Sequence, residues 1–160
     1  MFKKTNNILL IFFLFIISAS LVATFIIQYG LGHQPCKLCI YQRIPYILSI
    51  FLIIELIFFK KNEKTTLLLL SLIFIISAFL AFYHVGLEQG FFTESFVCEN
   101  KNFSGTLTKD QLLEQLKQNA ISCKNVSFKV LGLSLASINA IFSLILSVIF
   151  IRLFLNYEKN

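Results

Sequence analysis

Four long apolar runs, separated by polar stretches of very unequal length, set the plan of this chain. They cover residues 8–28, 40–59, 66–83 and 131–155. Each is close to the 20 or so apolar residues a helix needs to cross a bilayer. Between them lie a short polar link (29–39), a tight basic turn (60–65) and a long hydrophilic segment (84–130). The pattern predicts an all-α membrane protein, a four-transmembrane-helix bundle forming a single domain over residues 1–160. Within the long loop, Thr108-Lys109-Asp110-Gln111 fits a capping box, with Leu107 and Leu112 placed as a hydrophobic staple. Leu112, Leu113, Leu116 and Ala120 then recur on one helical face, so a short amphipathic helix is expected on the outer leaflet.

The first run also has the outline of a secretory signal, with Lys3-Lys4 ahead of it and Ser18-Ala19-Ser20 within it. Its apolar stretch continues to Ile27, past a signal core of about 7–15 residues, and it reads as a retained span.

Composition agrees with a membrane protein. Apolar residues make up 57% of the chain and charged residues 14%, against about 25% charged in a soluble domain. The net charge of +6 does not point to nucleic acid, because Lys3, Lys4, Lys60, Lys61 and Lys64 flank apolar runs. The positive-inside rule then puts the termini and the 60–65 turn in the cytoplasm, joined by Arg152 and Lys159. The loops at 29–39 and 84–130 fall on the opposite face. Lysines of the long loop are offset by Glu88, Glu94, Glu99, Asp110 and Glu114, and long loops cross largely regardless of charge.

All four cysteines land on that outer face: Cys36 and Cys39 at the short link, Cys98 and Cys123 in the long loop. In an oxidising compartment such thiols form persistent disulfides. Four cysteines permit three pairings, and spacing alone selects none of them, although proximity makes Cys36–Cys39 and Cys98–Cys123 the simplest set. A structural bond between Cys98 and Cys123 would close a loop of about 26 residues, worth roughly 3 kcal/mol in the chain-entropy model. The Cys36–Cys39 ring constrains too little chain for that role, and a Cys-x-x-Cys pair there favours redox chemistry. No metal site is expected, since His33 and His84 are not spaced like zinc ligands to these cysteines.

Geometry sharpens the first pair. A second span starting at Pro45 and ending at Phe59 would reach only about 22 Å, short of the roughly 30 Å core. Starting near Cys39 restores the length and makes Pro45 a kink in an early turn. Cys39 then lies near the positive end of a helix dipole, with Lys37 and Arg43 adding positive charge. Arg43 at headgroup depth also suits a simple interfacial anchor. Glu55 reads as a boundary residue paired with Lys60 or Lys61; His33 and His84 are outer-surface groups that could handle protons, although isolated histidines more often only satisfy local hydrogen bonds. Two glycosylation-type triplets, at Asn102 and Asn125, are attributed to the richness in Asn.

The string Pro35-Cys36-Lys37-Leu38-Cys39-Ile40-Tyr41-Gln42-Arg43, at the head of the second span, resembles the DsbB family of bacterial inner-membrane disulfide bond formation proteins. Four spans with a short and a long loop, a second cysteine pair and Tyr83-His84-Val85-Gly86-Leu87-Glu88 extend the resemblance over nearly the whole chain. It implies a protein-disulfide:quinone oxidoreductase of the bacterial inner membrane, its cysteines facing the periplasm. The redox pairs would be Cys36–Cys39 and Cys98–Cys123. Cys98 would form the mixed disulfide with a DsbA-like periplasmic thiol oxidase, and Cys123 would exchange with Cys36. Cys39 and Arg43 would contact the quinone, ubiquinone or menaquinone. DsbA is strongly oxidising, at about −120 mV, so its reoxidation calls for a strong acceptor such as the membrane quinone pool. Gln42 departs from the pattern, standing where the best-known members carry Glu.

Two other readings stand beside this one. Vitamin K epoxide reductase-like enzymes also combine a four-helix bundle with a Cys-x-x-Cys pair, but late in the chain. A non-enzymatic four-helix membrane protein with structural disulfides is the alternative from a different class.

Overall fold

A computed structural model describes residues 6–60, 62–92, 123, 129–130 and 132–159. Helix α1 (Asn7–Phe25) starts where the Asn6 side chain accepts from the Ile8 N–H at 3.1 Å. It runs into a π-helical turn, Ile26–Gly30. A short α2 (Lys37–Tyr41) is followed at once by α3 (Arg43–Phe58), and α4 spans Glu63–Glu88. Strands β1 (Lys129–Val130) and β2 (Leu133–Ser134) form a two-residue antiparallel hairpin, pairing Lys129 with Ser134. Helix α5 (Leu135–Lys159) closes the chain.

Four helical segments are long and apolar enough to span a membrane: Asn7–Gly30, Lys37–Phe58, Glu63–Glu88 and Leu135–Tyr157, with mean hydropathies of 2.8, 1.6, 2.5 and 2.4. They run alternately up and down, so one end of the bundle carries Cys36, Cys39 and His84 and the other carries the Lys60 turn. Large apolar side chains such as Phe15, Phe51, Phe58 and Phe79 point outward. A soluble monomer does not expose so continuous an apolar surface; lipid covers it.

The boundaries differ from the sequence-based expectation where polar residues hide the helix. The third span was expected to end at Tyr83, with His84 opening the loop, but α4 continues to Glu88. A Schellman cap stops it there: Phe91 N–H donates to Gly86 O at 2.8 Å and Gly90 N–H to Leu87 O at 3.1 Å, with Gly90 at φ +78°. His84 is thus a buried helical residue, satisfied by partners, and not a loop group. The second span begins at Lys37, and the hairpin delays the fourth until Leu135. The amphipathic helix expected near 108–120 lies outside the described residues.

Without water, helices in a bilayer associate by close packing and by hydrogen bonds between them. The most extensive seam here, between α4 and α5, follows that logic. Buried Ser71, Ser77, Ala78 and Ala81 meet Ala136, Ala140, Ser143 and Ser147, small residues that let two backbones approach. Lower in the bundle, Phe74 stacks on Phe150 with centroids 5.6 Å apart, and Phe13 of α1 meets Phe150 at 5.1 Å. Polar groups in this core are paired: Ser77 Oγ lies 3.0 Å from Ser143 Oγ, which lies 3.1 Å from the Tyr46 hydroxyl, and Tyr46 bonds Asn139 Oδ1. Among the described residues, no buried side-chain nitrogen or oxygen lacks a partner.

Candidate redox site

Cys36 is the N-cap of α2, in extended conformation at φ −69°, ψ 167° after Pro35. Its Sγ accepts from the Cys39 N–H at 3.3 Å and lies 2.8 Å from Cys39 Sγ. Both are free thiols. The dipole argument attached to Cys39 therefore moves to Cys36, because the helix begins earlier than expected and its first N–H groups point at the capping sulfur. Hydrogen bonding from the Cys39 thiol holds the Cys36 pKa well below the ordinary thiol range; burial opposes this, and the nearby His84 adds to it.

Pro45 interrupts the helix one turn further on. It has no N–H for the Tyr41 carbonyl and its ring crowds that carbonyl, so α2 and α3 are separated at Gln42. The interruption turns the Gln42 side chain into the bundle, where it is 7% exposed. Its Nε2 donates to Leu80 O at 3.4 Å and faces His84 Nδ1 at 3.2 Å, while its Oε1 accepts from Asn139 Nδ2 at 3.1 Å. His84, 2% exposed, carries its other nitrogen, Nε2, to 3.5 Å from Cys36 Sγ and 3.8 Å from Glu88 Oε1.

Arg43 points the other way, toward α1. Its Nη1 donates to Gln28 Oε1 at 2.6 Å, and its guanidinium sits 4.9 Å from the centre of the Phe25 ring. Gln28 belongs to the π turn, and such widened turns recur where a helix must re-aim a side chain at a functional site.

Between these groups opens a cavity of about 330 Å³. Its wall is mostly apolar and includes Cys39, Arg43, Gln28, Tyr46, Asn139 and Phe142. An apolar pocket with a few oriented polar groups is the ordinary form of a small-molecule site. Cys36 is not among its lining residues; it belongs to a small cluster with Leu38, Leu87 and Cys123, against which Cys39 and Tyr83 pack. Cys123 is 2% exposed and disulfide-bonded. The structure therefore brings together Cys36, Cys39, Arg43 and Cys123; Cys98 lies outside the described residues.

Cys36, Cys39 and His84 have ligand atoms within 4.8 Å of one another, close enough to consider a soft metal. The surroundings of His84 argue against one. A metal-bound imidazole donates its second N–H to an acceptor, whereas His84 Nδ1 faces the amide nitrogen of Gln42.

Sequence reasoning undervalued His84 and did not single out Gln28, Asn139 or Tyr46. The available signal was that Gln28, Gln42 and Asn139 are polar residues within or beside spanning segments, which are costly unless paired or functional.

A helical membrane bundle with a Cys-x-x-Cys pair at the start of one helix, beside an apolar cavity, defines a membrane thiol–disulfide protein. The comparisons with known proteins narrow the class. The chain belongs to the DsbB family: the model for disulfide bond formation protein DsbB matches residues 5–153. Membership carries an oxidoreductase role in disulfide-bond formation at a membrane. The uncharacterized protein RP370 of Rickettsia prowazekii (strain Madrid E) is 28% identical over 161 residues, covering 99% of this chain and 91% of that protein. No solved structure matches.

Proposed function

We propose that this protein reoxidises a DsbA-like thiol oxidase in the periplasm and delivers the electrons to a quinone of the inner membrane. The observation that carries the reading is the division of labour between Cys36 and Cys39. One sulfur packs with Cys123 and the other lines the apolar cavity beside Arg43.

In this reading the Cys98–Cys123 disulfide accepts two electrons from the partner's dithiol, through a mixed disulfide formed at Cys98. The resulting Cys123 thiolate attacks Cys36 and breaks the Cys36–Cys39 disulfide, leaving Cys39 as the free sulfur in the cavity wall. The partner's second cysteine then attacks the mixed disulfide, leaving the partner oxidised and freeing the Cys98 thiolate. This attacks Cys123 of the Cys36–Cys123 bond, which restores the Cys98–Cys123 disulfide, expels Cys36 and leaves Cys36 and Cys39 reduced. Cys36 accepts a hydrogen bond from the Cys39 N–H and faces His84, which suits it to act as the leaving thiolate when the Cys36–Cys123 bond is broken.

The cavity fits a quinone ring: it is mostly apolar, of small-molecule volume, and its polar lining includes Arg43, Gln28, His33, Gln42 and Asn139. A quinone bound there supplies a two-electron, two-proton acceptor for the Cys36–Cys39 dithiol. Arg43 is held by Gln28 and Phe25 with its charge fixed at the wall, ready to stabilise negative charge on an acceptor oxygen.

The test is quinone consumption by purified protein supplied with a reduced DsbA-like partner, followed by quinone absorbance. Turnover that disappears in Cys39→Ser supports the reading. A Cys123→Ala variant should also accumulate a covalent complex with the partner through Cys98. Absence of both turnover and complex leaves the scaffold with structural disulfides.

A further inference from the structure

Gln42 occupies an unusual position: it touches the cavity, the third spanning helix and the histidine behind Cys36 all at once. The orientation of its carboxamide is fixed. Leu80 O only accepts, so the nitrogen end must face α4, and the oxygen end accepts from Asn139 Nδ2. Asn139 follows from this: with its nitrogen donating to Gln42, its Oδ1 faces the Tyr46 hydroxyl. The Gln42 nitrogen, a donor, therefore meets His84 Nδ1 at 3.2 Å, and Nδ1 must be the acceptor. A neutral imidazole then has its one proton on Nε2. That nitrogen is 3.5 Å from Cys36 Sγ.

We propose that Gln42 is a positioning residue that fixes His84 as the Nε2–H tautomer and thereby presents a hydrogen-bond donor to the Cys36 sulfur. The inference deepens the redox reading, since it rests on Cys36 being the thiol that exchanges with Cys123. His84 acts by donation and not as a base, because its only unprotonated nitrogen faces Gln42. Among the described residues, the titratable groups facing His84 are Cys36 and Cys39 from α2 and Glu88 on its own helix. Cys123, in the adjacent cluster, is disulfide-bonded, and Arg43 of α3 is engaged by Gln28.

The chain has two histidines, so histidine-selective nitrogen-15 labelling of the full-length reduced protein in lipid nanodiscs resolves both, with a His33→Gln variant for assignment. Expected for His84 is an unprotonated Nδ1 and a protonated Nε2. A Gln42→Glu variant, which puts an acceptor opposite Nδ1, should move the proton to Nδ1. In parallel, peptide-resolved alkylation measures Cys36 reactivity against pH. In Gln42→Met the midpoint of the Cys36 reactivity curve should move up by about one pH unit, the size expected when a hydrogen bond to a charged group is lost.

An Nδ1–H tautomer in the wild type overturns the proposal, and so does an unchanged Cys36 profile in a Gln42→Met protein that elutes and melts like the wild type. If that variant does not fold, the wild-type tautomer alone decides. Neither measurement uses a quinone or a partner protein. Correct tautomer without quinone turnover would therefore sink the proposed function and leave this inference standing.

Discussion

Replacing Arg43 by Ala removes the one charged group shown to line the cavity beside Cys39. Three contributions leave together: the 2.6 Å bond to Gln28, the stacking over Phe25 at 4.9 Å and the fixed charge at the wall. The first two are structural, about 1.5–3 kcal/mol for the charged hydrogen bond and about 0.5–2 kcal/mol for the cation–π contact. The third bears on rate. Removing one preoriented donor from the place where negative charge develops costs about 10²–10³ in kcat. Arg43 is only half-buried, which argues for the lower end, about 10²-fold. Quinone-reduction kinetics at saturating partner should show that loss in kcat, with KM for quinone changing less. Arg43→Lys, which keeps the charge but not the planar fork, should fall between the two. An Arg43→Ala protein that stays folded and turns over within about threefold of wild type would refute the argument, because uniform anchoring does not predict a kcat effect. Arg43 would then be no more than a fastener between α1 and α3.

Gln28→Leu should reduce turnover less than Arg43→Ala, and combining the two should cost little beyond Arg43→Ala alone, since Gln28 acts through Arg43; a double-mutant cycle reads this directly. The lowered pKa of Cys36 has a sign that denaturation can check. The folded dithiol binds fewer protons than the unfolded chain between that lowered value and the ordinary thiol value of about 8.5, so its stability should rise with pH across this window. The gain should vanish as pH falls through the lowered value, and Cys36→Ser should flatten the curve. Tyr46→Phe removes the hydroxyl joining Asn139 and Ser143, and its cost in lipid should be about 0.6–1.7 kcal/mol by reversible unfolding in micelles.

The helices were legible because a bilayer imposes a length on an apolar run, and the Cys-x-x-Cys string marked one end of the bundle. What stayed hidden depends on distance along the chain. His84 lies 48 residues from Cys36 and comes after an apolar run, so by composition it looks like the first residue of a loop. The helix runs on past it to the Schellman cap at Gly90, which leaves it helical and buried. Gln28 was legible as a polar end to the first span, but a π turn has no simple sequence signature, and the turn gives that side chain its aim at Arg43. Gln42 was visible as a departure from the family pattern. Its meaning required knowing that Leu80 and Asn139 would hold its two ends. The pairing of Cys98 and the expected loop helix belong to residues outside those described.

The polar contacts running from Ser77 through Ser143, Tyr46, Asn139 and Gln42 to His84 also act as a vertical ruler. A seam of serine and alanine between α4 and α5 is smooth, and in lipid no hydrophobic force resists one helix sliding along the other. A slip of one turn displaces a helix by about 5.4 Å, more than enough to break every rung. Depth in the membrane is therefore set at the level of individual hydrogen bonds. The same rungs that keep the helices from slipping hold the thiol pair level with the mouth of its cavity.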